Sequence, residues 1–404
     1  MKLAKLSLAA IVALGVSAFA DVENVKFSGN AKLYYGTTDA GSADLFDKKG
    51  AYGQAAATVA VSADLADGVA GKLSATGLST LGLENNLVSA TWAGFAGGVD
   101  AQWWVDQAWL AKTFGNTTFK VGRQELDTPL AFSEKWNIVE NTFDAAVVLN
   151  SDLPETTLVA AWVGRGNGSN DGGVVAGVVN GSDPFTTYWQ DGAYAFGAIS
   201  KLIPMTTAQV WYYDVVNVAQ AWWLQADANL EDAVPGLVAG AQYANIDVEG
   251  VSDNASAWAV KLGYAIDALK LCAAYSSTDS DGPVAIANTA TGLAVQDGSR
   301  FSGSQTKLYT EAWWNYGYVG APDVDTFMIS AGYDMEDIAD FYAQYTAADA
   351  GKKSPVADMN EFTLTASKSF GNLNTTLAYI YTDADNQNNG DSYNTIQVYL
   401  TYNF

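Results

Sequence analysis

The sequence predicts an all-β protein, a transmembrane antiparallel β-barrel of 18 strands. Three observations carry that expectation. Segments about ten residues long alternate apolar with small or polar side chains, the length and pattern of a spanning strand. The connections between them alternate short and long along the chain. No mature segment is apolar for the roughly 20 residues that a spanning helix needs.

The chain has 404 residues, and the first 20 read as an export signal. Lys2 and Lys5 supply the positive start, Leu6 to Val16 the apolar stretch, and Ala18-Phe19-Ala20 the small-x-small cleavage site. The expected mature chain, 21–404, is one barrel domain. Taking 20 from 404 leaves 384 residues, and losing two lysines moves the formal charge from −24 to −26. No Cys follows the cleavage site, so no lipid anchor is expected.

Strand-like segments fall near 25–36, 52–65, 69–80, 102–114, 117–124, 143–150, 157–164, 191–200, 206–215, 219–228, 237–246, 256–266, 269–276, 326–334, 338–345, 360–370, 373–382 and 392–404. Trp258, Val260, Leu262, Tyr264 and Ile266 alternate with Ala257, Ala259, Lys261, Gly263 and Ala265. Period-two alternation puts one set on each face of a sheet. The apolar set often ends in Tyr, Trp or Phe, as aromatic girdles do at bilayer interfaces, and the other set suits a wet lumen.

Short links such as Asp67-Gly68, Gly115-Asn116, Asp267-Ala268 and Gly371-Asn372 alternate with long ones such as 37–51, 125–142 and 277–325. With both termini periplasmic, the short links face the periplasm and the long ones face outward. Only 216–218 is short on the outer side. Two further apolar patches, 87–95 and 307–315, would break the alternation as spanning strands and are placed in loops.

Composition removes most other classes. Zero His excludes a Ser-His-Asp triad, and one Cys excludes an internal disulfide or a Cys-ligated metal centre, so no enzyme is expected. An acidic chain is no partner for nucleic acid. No cofactor is expected. Asp279-Ser280-Asp281-Gly282 and Asp383-Ala384-Asp385 read first as turns, with calcium bridging of acidic loops left open. A secreted or surface-layer structural β-protein is the main alternative, but it needs neither lipid-facing aromatic belts nor a terminal Phe.

The last segment ends Ile396-x-Val398-x-Leu400-x-Tyr402-x-Phe404, with Tyr402 and Phe404 closing an amphipathic strand. It resembles the assembly signal of bacterial outer-membrane proteins. That implies outer-membrane lipid and the barrel-assembly machinery as partners.

Val121-Gly122-Arg123-Gln124-Glu125-Leu126-Asp127-Thr128-Pro129-Leu130, followed by Asn141-Thr142-Phe143-Asp144-Ala145, resembles the Campylobacter-type major outer membrane porins within the OprD-like porin superfamily. The resemblance implies an 18-stranded homotrimer in the bacterial outer membrane, with an inward-folded loop narrowing the pore. It also implies passive, cation-favouring diffusion of ions and small hydrophilic solutes. Segment 125–142 is then the constriction loop, with Glu125, Asp127, Glu134, Lys135 and Glu140 as its charges.

Alternation assigns Lys26, Lys32, Asp64, Lys72, Lys120, Gln124, Asp144, Lys261 and Lys270 to the pore lining. Arg123 falls on the lipid face, costly at mid-bilayer, and is expected at a strand end or beside a bulge. Lys368, beside Phe370, reads as a snorkelling interfacial lysine. A basic wall would guide anions, as in a substrate-specific OprD-like channel, the second alternative. Acidic loops would instead gather cations, and the net charge of −26 favours that reading.

Overall fold

The computed structural model describes residues 22–90, 102–135, 138–168, 185–187, 191–291, 294–295, 300–301 and 304–404. The expected leader lies outside these residues. Eighteen antiparallel strands close on themselves. They are β1 (Glu23–Thr38), β2 (Ala51–Leu65), β3 (Val69–Ser79), β4 (Gln102–Phe114), β5 (Thr117–Gln124), β6 (Phe143–Asn150), β7 (Thr156–Gly166), β8 (Ala193–Ser200) and β9 (Thr206–Val215). Then follow β10 (Ala219–Asn229), β11 (Leu237–Val248), β12 (Ala255–Ile266), β13 (Leu269–Thr278), β14 (Val324–Asp334), β15 (Asp340–Ala350), β16 (Met359–Phe370), β17 (Leu373–Ala384) and β18 (Tyr393–Asn403). Thr186–Thr187 adds a short rung to β7, and 294–295 pairs with 300–301 inside a loop.

Closure joins the two ends of the chain: β1 pairs with β18, from Asn30 opposite Asn403 to Thr38 opposite Thr395. Closure leaves no free sheet edge, which is the condition for strands to cross lipid. Gly29 lets the terminal residue dock. A Cβ there would lie 2.6 Å from the Phe404 ring, while Gly29 and Phe404 exchange backbone hydrogen bonds of 2.9 and 3.0 Å.

The two faces invert the rule of a soluble protein. Trp258 and Leu262 remain 45% and 56% exposed, while Ala257 and Ala259 opposite them are buried at 2% and 1%. On such stretches large apolar groups point away from the protein and small ones point inward; large inward groups such as Trp211 and Trp223 occur where loops cover the wall. Among the described residues no helix is long and apolar enough to cross a membrane.

Neither patch kept out of the strand count forms a spanning strand among the described residues. Segment 304–323 has no strand, and Ala90 makes one isolated bridge to Tyr52; residues 91–95 lie outside the described residues.

The interior is packed in three clusters around the wall. Leu130, Ile286 and Val319, from two loops, join Phe143, Trp211 and Trp223 of the inner wall in one apolar cluster. Ile138 and Val139 pack on Tyr34, Ala56 and Leu78, and Ala312, Tyr318 and Ala321 pack on Val324, Ala348 and Met359. Two long connections thus fold into the barrel and divide its lumen.

Candidate pore constriction

The first inward loop, 125–142, leaves β5 and returns to β6. Gly122 shapes its approach, because φ is +124° and a Cβ would lie 2.2 Å from the Ala108 carbonyl oxygen. Only glycine tolerates both. The loop crosses the lumen, Ile138 and Val139 meeting the β1–β3 wall while Leu130 reaches the far cluster. Tyr213 on β9 contributes its hydroxyl, which accepts from the Leu130 N–H at 3.3 Å.

The second inward loop, 279–323, lies against the first. The Asn288 Nδ2 group donates to the Phe132 carbonyl and to Glu134 Oε1, both at 2.9 Å. Ser304 Oγ donates to Glu134 Oε1 at 3.0 Å, and Thr291 Oγ1 does so as well. Glu134 is 7% exposed, so it is a clasp between loops and does not face the pore as expected. Burial without donors would be costly, and these neutral donors satisfy it.

The wall holds the second loop at several points. Gln242 exchanges hydrogen bonds with Lys307 and Tyr309 main chain at 2.8 and 3.0 Å. Asp227 accepts from Tyr309 Oη at 2.7 Å and from Lys261 Nζ at 2.6 Å. Lys261 is therefore on the inner face, but engaged as a strut. Glu361 of β16, 1% exposed, accepts from the Trp314 N–H and from the Asn315 N–H and Nδ2 at 2.7–3.2 Å. Glu311 folds back to accept from the Thr306 and Ala312 N–H groups. Burial pushes its carboxyl up to about 8, with Glu361 and Glu134 adding to the shift and the two backbone donors opposing it.

Between the loops and the wall of β15, β17 and β18 remains a cavity of about 840 Å³. The loops bring Glu125, Asp127, Lys135 and Lys307 to it, with Phe132, Trp313 and Tyr316; the wall adds Gln344, Thr376 and Tyr399. The charges are paired. Lys135 Nζ lies 3.1 Å from Glu125 Oε2, and Lys307 binds Asp127 while sitting over the Phe132 ring. The hydrogen bond to Glu125 raises the Lys135 pKa. The expected mostly acidic constriction is thus neutral, because sequence reading lacked Lys307 from the second loop.

A second recess, about 340 Å³, is lined by Lys32, Lys72, Asp106, Glu125 and Glu140 among others. Lys32 and Glu140 lie 3.6 Å apart. Asp106 faces inward through a bulge that pairs Ser74 with Gln107 and Ala75 with Val105. The signal was legible: the outward apolar series slips phase, from Trp103 and Val105 to Ala108 and Leu110. Lys120 holds its ammonium 4.3 Å from the Trp109 ring, a cation–π contact. Lys26, Asp64 and Lys270 are exposed near the inner ends of their strands, and Asp64 accepts from Asn24 at 2.6 Å.

Two pore-lining assignments are corrected. Gln124 faces inward but is 1% exposed beneath the loops, donating to the Gly122 and Ala145 carbonyls at 3.2 and 3.1 Å. Asp144 lies on the outward face opposite Arg123. Arg123 Nε and Nη2 donate to its two oxygens at 2.7 and 3.1 Å, and Nη1 donates to the Val105 carbonyl at 2.8 Å. A register shift between Asp144 and Ala145 sits beside the pair. This partner and the end of β5 resolve the cost of an outward arginine. Lys368 Nζ lies 5.8 Å from the Phe370 ring and donates to the Asp337 carbonyl at the short-turn end. Tyr402 and Phe404 are outward, 48% and 58% exposed.

The acidic clusters are spoken for in part. Asp281 pairs with Lys353, and among the described residues no three His, Cys, Asp or Glu gather around a metal-sized space.

A closed 18-stranded barrel with loops folded into an open lumen defines the class, a β-barrel built like an outer-membrane channel. The solved structures it matches have that fold. Pseudomonas aeruginosa OccK3 (OpdO) aligns over 94% of this chain and 96% of its own, at TM-score 0.68 and 14% identity. OccK8 (OprE) aligns over 95% and 99%, at 0.67 and 15%, and OpdK with vanillate over 94% and 98%, at 0.69 and 14%. OpdK is an outer membrane protein of the same organism. The chain therefore has the fold of the OprD/Occ porin structures. No protein-family model and no curated protein matches it.

Proposed function

We propose that this chain is an outer-membrane porin of the Campylobacter-type branch, a water-filled channel for passive diffusion of ions and small hydrophilic solutes. It does no covalent chemistry, is exported by a cleaved leader, is assembled through its Tyr402/Phe404 strand and works as a homotrimer. The single observation that carries the reading is the cavity of about 840 Å³ kept open between two pinned loops.

The channel favours cations through its outer mouth. The constriction pairs cancel, so they give no sign preference. The outer segments 39–50, 247–254, 279–281, 349–358 and 383–391 together carry 13 Asp and Glu against four Lys. A mouth of one sign concentrates counter-ions. Its field is screened within about 10 Å in 0.1 M salt and about 3 Å in 1 M. Reversal potentials in planar bilayers should show a cation preference in dilute salt that shrinks in concentrated salt. An anion-selective reversal would reject the preference and support the rival reading, a specific channel guided by Lys32, Lys72 and Lys120. OpdK, bound to vanillate, lends that rival some weight.

A further inference from the structure

We propose that the constriction cavity binds neutral hydroxylated solutes of sugar size, a hexose or a disaccharide. This rests on the channel reading above and names a solute class for the same site. Two features point there together.

The first is charge that is present but balanced. All four charged lining groups stand in two ion pairs, Glu125 with Lys135 and Asp127 with Lys307. A singly charged solute is drawn by one partner and repelled by the other. A hydroxyl both donates and accepts, so it can bond the carboxylate oxygens and the ammonium N–H groups while the pairs stay intact. Asp127 is well placed for this, with its side chain 87% exposed.

The second feature is an aromatic end. Lys307 lies beside Phe132 and Gln242, whereas Trp313 lies against β15, its ring 6.3 Å from that of Tyr342. Tyr399 lines the same cavity from β18 and is backed by fully buried Tyr34 at 5.1 Å. Rings fixed from behind present a rigid apolar surface. A pyranose has one face of C–H groups that fits such a surface and a rim of hydroxyls that suits the paired charges. Gln344 and Thr376 add neutral polar groups between the two ends. The volume, about 840 Å³, is that of a site for small molecules.

The test is single-channel recording in a planar bilayer with maltose, glycine and benzoate added in turn at millimolar concentration. Maltose should interrupt the current in a saturable way, and the other two should not. Trp313→Ala should raise the half-blocking maltose concentration about tenfold, the loss of one stacking ring. Tyr399→Leu, on wall strand β18, should also weaken block. A conducting channel that maltose never interrupts, or that glycine or benzoate blocks as well as maltose, overturns the proposal. So does maltose block unchanged in both variants. A folded protein that conducts nothing instead defeats the channel reading.

Discussion

The two inward loops do different work with similar means. Loop 125–142 carries three of the four cavity charges, Glu125, Asp127 and Lys135. Loop 279–323 carries Lys307 and the rings of Trp313 and Tyr316. The first is held mainly by its neighbour and by apolar packing at both ends. The second is held by buried carboxyl groups without cations, Glu361 from the wall and Glu311 from within. On the proposed channel reading, the first loop therefore tunes what the pore feels. The second decides whether the constriction stands at all, because the clasp on Glu134 is built from its Asn288, Thr291 and Ser304.

The sharpest way to break that contrast is Glu361→Leu. It strands the Trp314 and Asn315 donors, and each buried donor left unsatisfied costs about 1–3 kcal/mol, less than additively. A loss of at least about 3 kcal/mol is expected, seen as a lower heat-modification midpoint on gels. Single-channel conductance should rise and become unsteady as the loop leaves the wall. Asp127→Asn in the first loop should leave the midpoint alone. Equal destabilisation by the two substitutions would erase the division of labour.

A smaller effect separates their charges. Lys307→Gln unpairs Asp127 and leaves the constriction at one net negative charge. Cation preference should then rise roughly two- to fivefold, the scale of one unit charge acting across a few ångströms of water. The rise should persist in concentrated salt, unlike the preference that arises at the mouth. No change would mean that the Asp127–Lys307 pair lies off the ion path.

Much of the barrel was legible because its strands obey one rule on each face. β4, β5, β6 and β9 begin and end where alternation puts them, and the faces of β12 and β13 follow. The first loop was legible through a motif, and Gly122 gives that motif a steric reason. What was hidden lacks a periodic signature. Segment 304–323 is irregular backbone whose placement depends on Gln242, Glu361 and Gln344, residues far along the chain. Asp144 shows the limit of parity: alternation put it in the lumen, whereas its cross-strand neighbour is Arg123 on the outward face. Glu134 was taken for a pore charge because a sequence does not reveal what covers a carboxylate.

The finest test concerns Glu311, the carboxyl that the second loop keeps for itself. Its pKa in the fold is about 8, against an ordinary 4.5. A raised acid binds its proton more tightly in the seated loop than in a released one. Between those two values the seated loop therefore holds more protons, and its stability falls as pH rises. The benefit is complete below about pH 4.5 and gone above about pH 8. Current noise should be lowest at acid pH and should grow toward pH 9, by less than Glu361→Leu produces. Glu311→Gln keeps an acceptor but carries no proton equilibrium, so its noise should not vary with pH in that window. If the variant keeps the wild-type pH profile, the sensitivity comes from the first loop or the mouth, and the second loop is not the element that sets the gate's steadiness.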